Sequence, residues 1–130
     1  MANVKRALTE SFVAGATLAS SQYHGVKLNA NRQVIVCAAD TDIPAGIVLN
    51  DPASGAEAEV LVVGRCPVVL GETLTAGQLI RIDGSGHAML FEPATDTTAY
   101  CIGQVTIGGA VTEVGEALIN CCNPNRGIAS

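Results

Sequence analysis

Tryptophan is absent from the 130-residue sequence, and the aromatic side chains are only Phe12, Tyr23, Phe91 and Tyr100. Sugar-binding sites usually present aromatic platforms, so this scarcity weakens a carbohydrate-recognition reading. Charged residues make up 15%, too few for a coiled coil, a long solvated helix or a disordered chain. Apolar runs are short: Val60-Leu61-Val62-Val63 falls far below the roughly 18 to 20 residues that cross a bilayer as a helix. Thr9, Glu10 and Ser11 interrupt the place where a signal peptide needs continuous apolar sequence, so secretion by that route is not expected. A basic stripe is missing too. The seven cations stand at 5, 6, 27, 32, 65, 81 and 126, and the net charge is −5, which argues against a nucleic-acid partner.

Metal and catalytic signals are equally thin. Cys37, Cys66, Cys101, Cys121 and Cys122 show no C-x-x-C spacing, and His24 and His87 are isolated. Five thiols cannot all pair within one chain, so they are read as buried, reduced hydrophobes without a catalytic role, and no cofactor is expected. Asp83, Ser85 and His87 have the residue types of a hydrolytic triad, but they share one hairpin tip and cannot converge. Gly84-Ser85-Gly86 lacks the Lys and the helix of a phosphate-binding loop and reads as a turn. Glu57 and Glu59 fall on one face of a strand, where solvation is the ordinary explanation. Cys121 and Cys122 are read as strand neighbours pointing to opposite faces. Enzyme activity is therefore not expected.

What is abundant is small apolar side chains, with 48% hydrophobic residues, and chain punctuation, with 14 Gly and 5 Pro. These point to short strands in thin layers. An internal repeat organises them, over residues 12–64 and 67–121. Gly15-Ala16-Thr17-Leu18 answers Gly71-Glu72-Thr73-Leu74, and Val26-Lys27-Leu28-Asn29 answers Ile80-Arg81-Ile82-Asp83. Val34-Ile35-Val36 then answers Ala88-Met89-Leu90, Thr41-Asp42 answers Thr95-Asp96, and Gly46-Ile47-Val48-Leu49 answers Gly103-Gln104-Val105-Thr106. Each copy closes on an alternating segment, aligned as Ala58–Val62 with Glu116–Asn120. Within each copy, a first strand is expected near Gly-x-Thr-Leu, a hairpin at Asn29-Ala30-Asn31 or Asp83-Gly84-Ser85-Gly86, and two further strands. Pro44, Pro52, Pro67 and Pro93 fall at segment boundaries.

Two copies are too few for a solenoid, so the expected architecture is all-β: one domain over 12–122, a small barrel or tulip-like β-sandwich of two pseudo-symmetric repeats. Residues 1–11 form an N-terminal arm, helical or extended, and 123–130 a polar C-terminal tail. The arm, unpaired in the free subunit, carries the candidate binding residues Val4, Lys5, Arg6, Ala7 and Leu8, which combine the one adjacent basic pair with apolar side chains. The apolar content against so few charges also predicts self-association.

Together, Gly-x-Thr-Leu, Val-Lys-Leu-Asn, Pro-Ala-Gly-Ile-Val-Leu-Asn-Asp-Pro-Ala-x-Gly and the second round Leu-Thr-Ala-Gly-Gln-Leu-Ile-Arg-Ile-Asp-Gly-Ser-Gly resemble the head-decoration, or capsid cement, proteins of tailed bacteriophages. The resemblance spans about residues 12–121. It implies a β-rich subunit, made in the host cytoplasm, often trimeric, that sits on the outer capsid surface and binds the major capsid protein through surfaces and arms. No individual functional residue carries over from it. The alternative reading is a carbohydrate- or cell-surface-binding module of a phage fibre.

Overall fold

The computed structural model describes residues 7–122 and 125–126. Among them are eleven strands and no helix: β1 (Leu8–Ala14), β2 (Gly25–Leu28), β3 (Gln33–Val36), β4 (Gly46–Val48), β5 (Glu57–Val69), β6 (Leu79–Ile82), β7 (Ala88–Leu90), β8 (Tyr100–Cys101), β9 (Gly103–Ile107), β10 (Val114–Asn120) and β11 (Asn125–Arg126). The all-β expectation holds. Nine strands make one sheet in the order β1-β3-β2-β4-β5-β10-β9-β6-β7, while β8 and β11 pair separately.

The sheet curls into two rings. β1 also pairs antiparallel with β5, from Leu8 opposite Val63 to Val13 opposite Glu57, and this closes β1-β3-β2-β4-β5. A second ring runs from the C-terminal half of β5 through β10, β9, β6 and β7, and returns through a parallel bridge between Leu70 and Ala88. The strand β5 thus serves both rings, pairing over Glu57–Val63 with β1 and over Val63–Val69 with β10. Between the halves stands Gly64, at φ 140, a conformation that side chains with a Cβ rarely adopt.

The contacts of ring 1 recur in ring 2. Ala14 bridges Val34 in parallel as Leu70 bridges Ala88, and Gly15 N and Gly71 N donate to Val34 O and Ala88 O. Val26 opposes Val36 and Gly46; Ile80 opposes Leu90 and Gly103. Asn29 Oδ1 accepts from the amides of Asn31 and Gln33, and Asp83 Oδ1 from those of Ser85 and His87, so one side chain folds each hairpin turn. Gly46 and Gly103 hold corresponding places because a Cβ at either would strike the carbonyl oxygen of Leu61 or Leu118.

Three readings of the sequence need correction. The first strand of each copy lies just before the Gly-x-Thr-Leu segment and not within it: Gly15–Leu18 and Gly71–Leu74 begin in bends, Leu74 bridges Gly109, and Leu18 and Leu74 plug the two interiors. Pairing sets Leu61 of β5 against Ile47 as Leu118 of β10 sits against Gln104, so Val60 corresponds to Ala117 and the last aligned segment shifts by one residue. Alternation is blind to such a slip because both faces of these strands carry apolar residues. Pro67 lies inside β5 opposite Glu116, where β5 pairs with β10 on one side only, an edge position at which a missing N–H breaks no ladder.

Ring 1 is filled by Ala14, Leu18, Val26, Val34, Val48, Ala58 and Val60. Ring 2 places Leu70, Leu74, Ile80, Ala88, Val105 and Ala117 likewise, but its core continues into Cys37, Ile47 and Leu61 of the first ring. Alternation explains this: Val48 and Val60 point into ring 1, so Ile47 and Leu61 point out of it and are buried at the junction. Corresponding ion pairs tie each hairpin to the loop beyond it, Lys27 Nζ to Asp42 Oδ2 at 2.9 Å and Arg81 Nε to Asp96 Oδ1 at 3.5 Å.

Leu74→Ala should cost about 2–5 kcal/mol in denaturant unfolding, because it leaves a cavity in place of a buried plug. Burial opposes the charge of Asp42, but bonds from Lys27 and from the amides of Ala38 and Ala39 outweigh it and hold the carboxyl below its ordinary 3.8. The folded value is the lower one, so this contribution is complete above the unfolded value and is lost as pH falls through the folded value. Asp42→Asn should therefore lower the melting temperature at pH 7 and reduce its fall between about pH 5 and pH 3, measured by thermal unfolding across that range.

Candidate interaction surface

The proposed arm and the sheet share residues. Leu8–Ser11 belong to β1 and lie in register with β5, so the boundary at Phe12 falls inside a strand and this part of the arm is paired. The repeat hid the strand: the counterpart of Leu8–Ser11 lies at the centre of β5, near Gly64–Pro67, and reads there as the end of the first copy. Leu8 is exposed at the start of β1, beside a register shift between Leu8 and Thr9, and Ala7 is exposed next to Gly64. Val4, Lys5 and Arg6 lie outside the described residues. Ser11 Oγ donates to Glu57 Oε1 at 2.8 Å, which fastens β1 to β5 at its solvent face.

No group of three or more His, Cys, Asp or Glu side chains able to hold a metal occurs among the described residues. Asp83 spends its carboxylate on the hairpin turn, and His87 turns toward His24 rather than toward Ser85. The two imidazoles stand 4.9 Å apart at 49°, a pair the sequence does not show because the junction of the rings creates it. Glu57 and Glu59 are both exposed on β5. Burial pushes the thiols of Cys37, Cys66 and Cys121 up to about 12, which leaves them protonated and poor nucleophiles. Cys121 and Cys122 follow β10 rather than lying in it, the first buried and the second exposed, so burial of all five thiols does not hold.

What the surface offers is apolar side chains on strands. Leu8, Val13 and Leu28 of ring 1 and Leu79, Ile107, Val114 and Leu118 of ring 2 are exposed. Arg65 and Glu116 form an ion pair on the outer face of β5 and β10, and Thr106 Oγ1 donates to the same carboxylate.

No protein-family model matches the sequence, and no curated protein matches it. A solved structure does: the N base of the head fiber gp8.5 of bacteriophage phi29, with a TM-score of 0.65 over 96% of this chain and 100% of that one, at 13% identity. The chain shares its fold with that head-fiber base. The similarity is of backbone architecture and covers both rings.

A thiol reagent should modify Cys122 at once and Cys37, Cys66 and Cys121 only at the rate of unfolding, followed by mass spectrometry of the labelled peptides. Rapid labelling of any of those three in native buffer would contradict the burial described above.

Proposed function

We propose that this protein is a structural component of a tailed-phage virion that binds the outer surface of the head as a decoration or cement protein, working as a homotrimer on the major capsid protein and catalysing no reaction. The observation that carries the reading is the fold shared, over nearly all of both chains, with the base of a phage head fiber. Its chemistry is consistent with that use. A cement protein needs a rigid block with apolar sheet faces, and tight ring interiors with matched turns supply one. The basic pair Lys5-Arg6 on a chain of net charge −5 gives the N-terminus a distinct attraction for acidic capsid groups.

The second reading is a fibre component that holds a cell-surface-binding segment, favoured by the head-fiber description of the structural neighbour. One assay separates the two. Purified protein incubated with empty expanded capsids of its source virus should co-sediment stoichiometrically and raise the temperature at which the shells break. Binding to host cells with none to capsids would favour the fibre reading and contradict ours. The N-terminal contribution is tested by deleting residues 1–6, which leaves β1 and the closure of ring 1 intact. The shortened protein should melt as the parent does and bind capsids at least ten-fold more weakly, with a shallower salt dependence; unchanged affinity would assign binding to the rings alone.

A further inference from the structure

The two rings of one chain meet through unlike surfaces. Ring 1 contributes Tyr23–Gly25 and the segment from Val36 to Asp40; ring 2 contributes Val69 and the hairpin from Arg81 to His87. Gly25 N donates to Gly86 O at 2.8 Å, Val69 N donates to Tyr23 O at 3.2 Å, and the Ile82 side chain occupies the space in front of Gly25. The His24 and His87 rings touch, and Arg81 Nη1 reaches Asp40 Oδ1 at 3.7 Å.

Because the rings correspond position by position, each carries a counterpart of the surface the other uses. The counterparts of Val69, Ile82, Gly84 and Gly86 are Val13, Leu28, Ala30 and Arg32 on ring 1. Those of Tyr23, Gly25, Val36 and Ala38 are Gly77, Leu79, Leu90 and Glu92 on ring 2. Backbone geometry supports the match: Arg32 and Gly86 both have positive φ, at 62 and 81, as do Tyr23 and Gly77, at 66 and 94. A twofold contact would bury all of these at once. Instead Val13, Leu28 and Leu79 are 46%, 47% and 37% exposed. The internal interface is therefore of the head-to-tail kind, and among the described residues one copy of each side is left unfilled.

We infer that ring 2 of one chain docks on ring 1 of another copy in the same head-to-tail sense, with the rings set further apart than inside the chain because Leu79, Ala30 and Arg32 carry side chains where Gly25, Gly84 and Gly86 admit close approach. The internal contact, used as a template, sets Leu79 on Leu28, places Gly77 at Val13, and brings Glu92 beside Ala30, two residues from Arg32. Apolar groups then cover apolar groups, and the carboxylate of Glu92 answers the guanidinium of Arg32. Where the internal contact seats Ile82 over a glycine, this one packs two leucines side by side. Head-to-tail contacts either close into rings or run on as filaments. Resting on the trimer proposed above, this contact closes three chains into a ring in which internal and intermolecular junctions alternate.

Full-length protein and two single variants, Leu28→Asp and Leu79→Asp, decide the matter by light scattering coupled to gel filtration. Both substitutions fall on exposed positions, and circular dichroism with a thermal melt checks that the fold persists. The parent should be oligomeric and each variant monomeric. Mixed in equal amounts, the variants retain one intact side each and should form a 1:1 dimer that grows no further. A second pair keeps the charge contact falsifiable: Arg32→Glu should weaken assembly about ten-fold, and adding Glu92→Arg to the same chain should restore it. A monomeric parent, folded variants that assemble as the parent does, or a mixture that stays monomeric would overturn the interface. The assay contains no capsid, so such a failure leaves the capsid-binding function standing.

Discussion

Strand β5 sets the position of every other element, because it is shared by two rings that each need it to close. Its first half completes ring 1 against β1 and β4, and its second half completes ring 2 against β10. A five-stranded ring of mostly short strands is marginal on its own, since each strand contributes few ladder bonds and a small apolar face. Sharing one long strand removes the freedom of the two units to move apart. Gly64 lets the backbone pass from one ring to the next, and the outward faces of Ile47 and Leu61 are buried at the junction that results. The small side chains follow from this geometry. Rings this narrow are filled by Val, Ala, Leu and Ile, and a tryptophan would have no room inside.

Much of this architecture is legible in the sequence. Asn29 and Asp83 advertise the hairpins because the same side-chain acceptor builds both turns, and Gly46 and Gly103 mark the place where strands approach too closely for a Cβ. The failures have physical causes. Leu8–Ser11 look like an arm because the matching strand in the second half is continuous with the end of the first, so that no turn separates them. The one-residue slip in aligning β5 with β10 arises where both strand faces are apolar and alternation loses its phase. The pairing of His24 with His87, and of Arg81 with Asp40, belongs to the junction between rings, and sequence periodicity says nothing of how two units stack.

The functional reading depends on surfaces rather than on a cluster of reactive groups. Carboxylates that could have suggested acid-base chemistry are engaged in folding: Asp83 and Asp42 cap backbone amides, and Glu57 accepts from Ser11. Thiols that could have suggested nucleophilic chemistry are mostly buried and held protonated. Among the exposed features are strand residues bearing leucine, valine and isoleucine side chains. The chain shares its fold with the base of a phage head fiber.

The account stands on the two rings behaving as one body through β5, and hydrogen exchange read by mass spectrometry tests this directly. A cavity placed in ring 1 alone by Val26→Ala should accelerate exchange of β2, β3 and β4 and of β6, β7 and β9 by the same factor, because opening either ring breaks the strand that both require. Acceleration confined to ring 1, with β6, β7 and β9 as protected as in the parent, would show that the rings open independently and that β5 does not couple them.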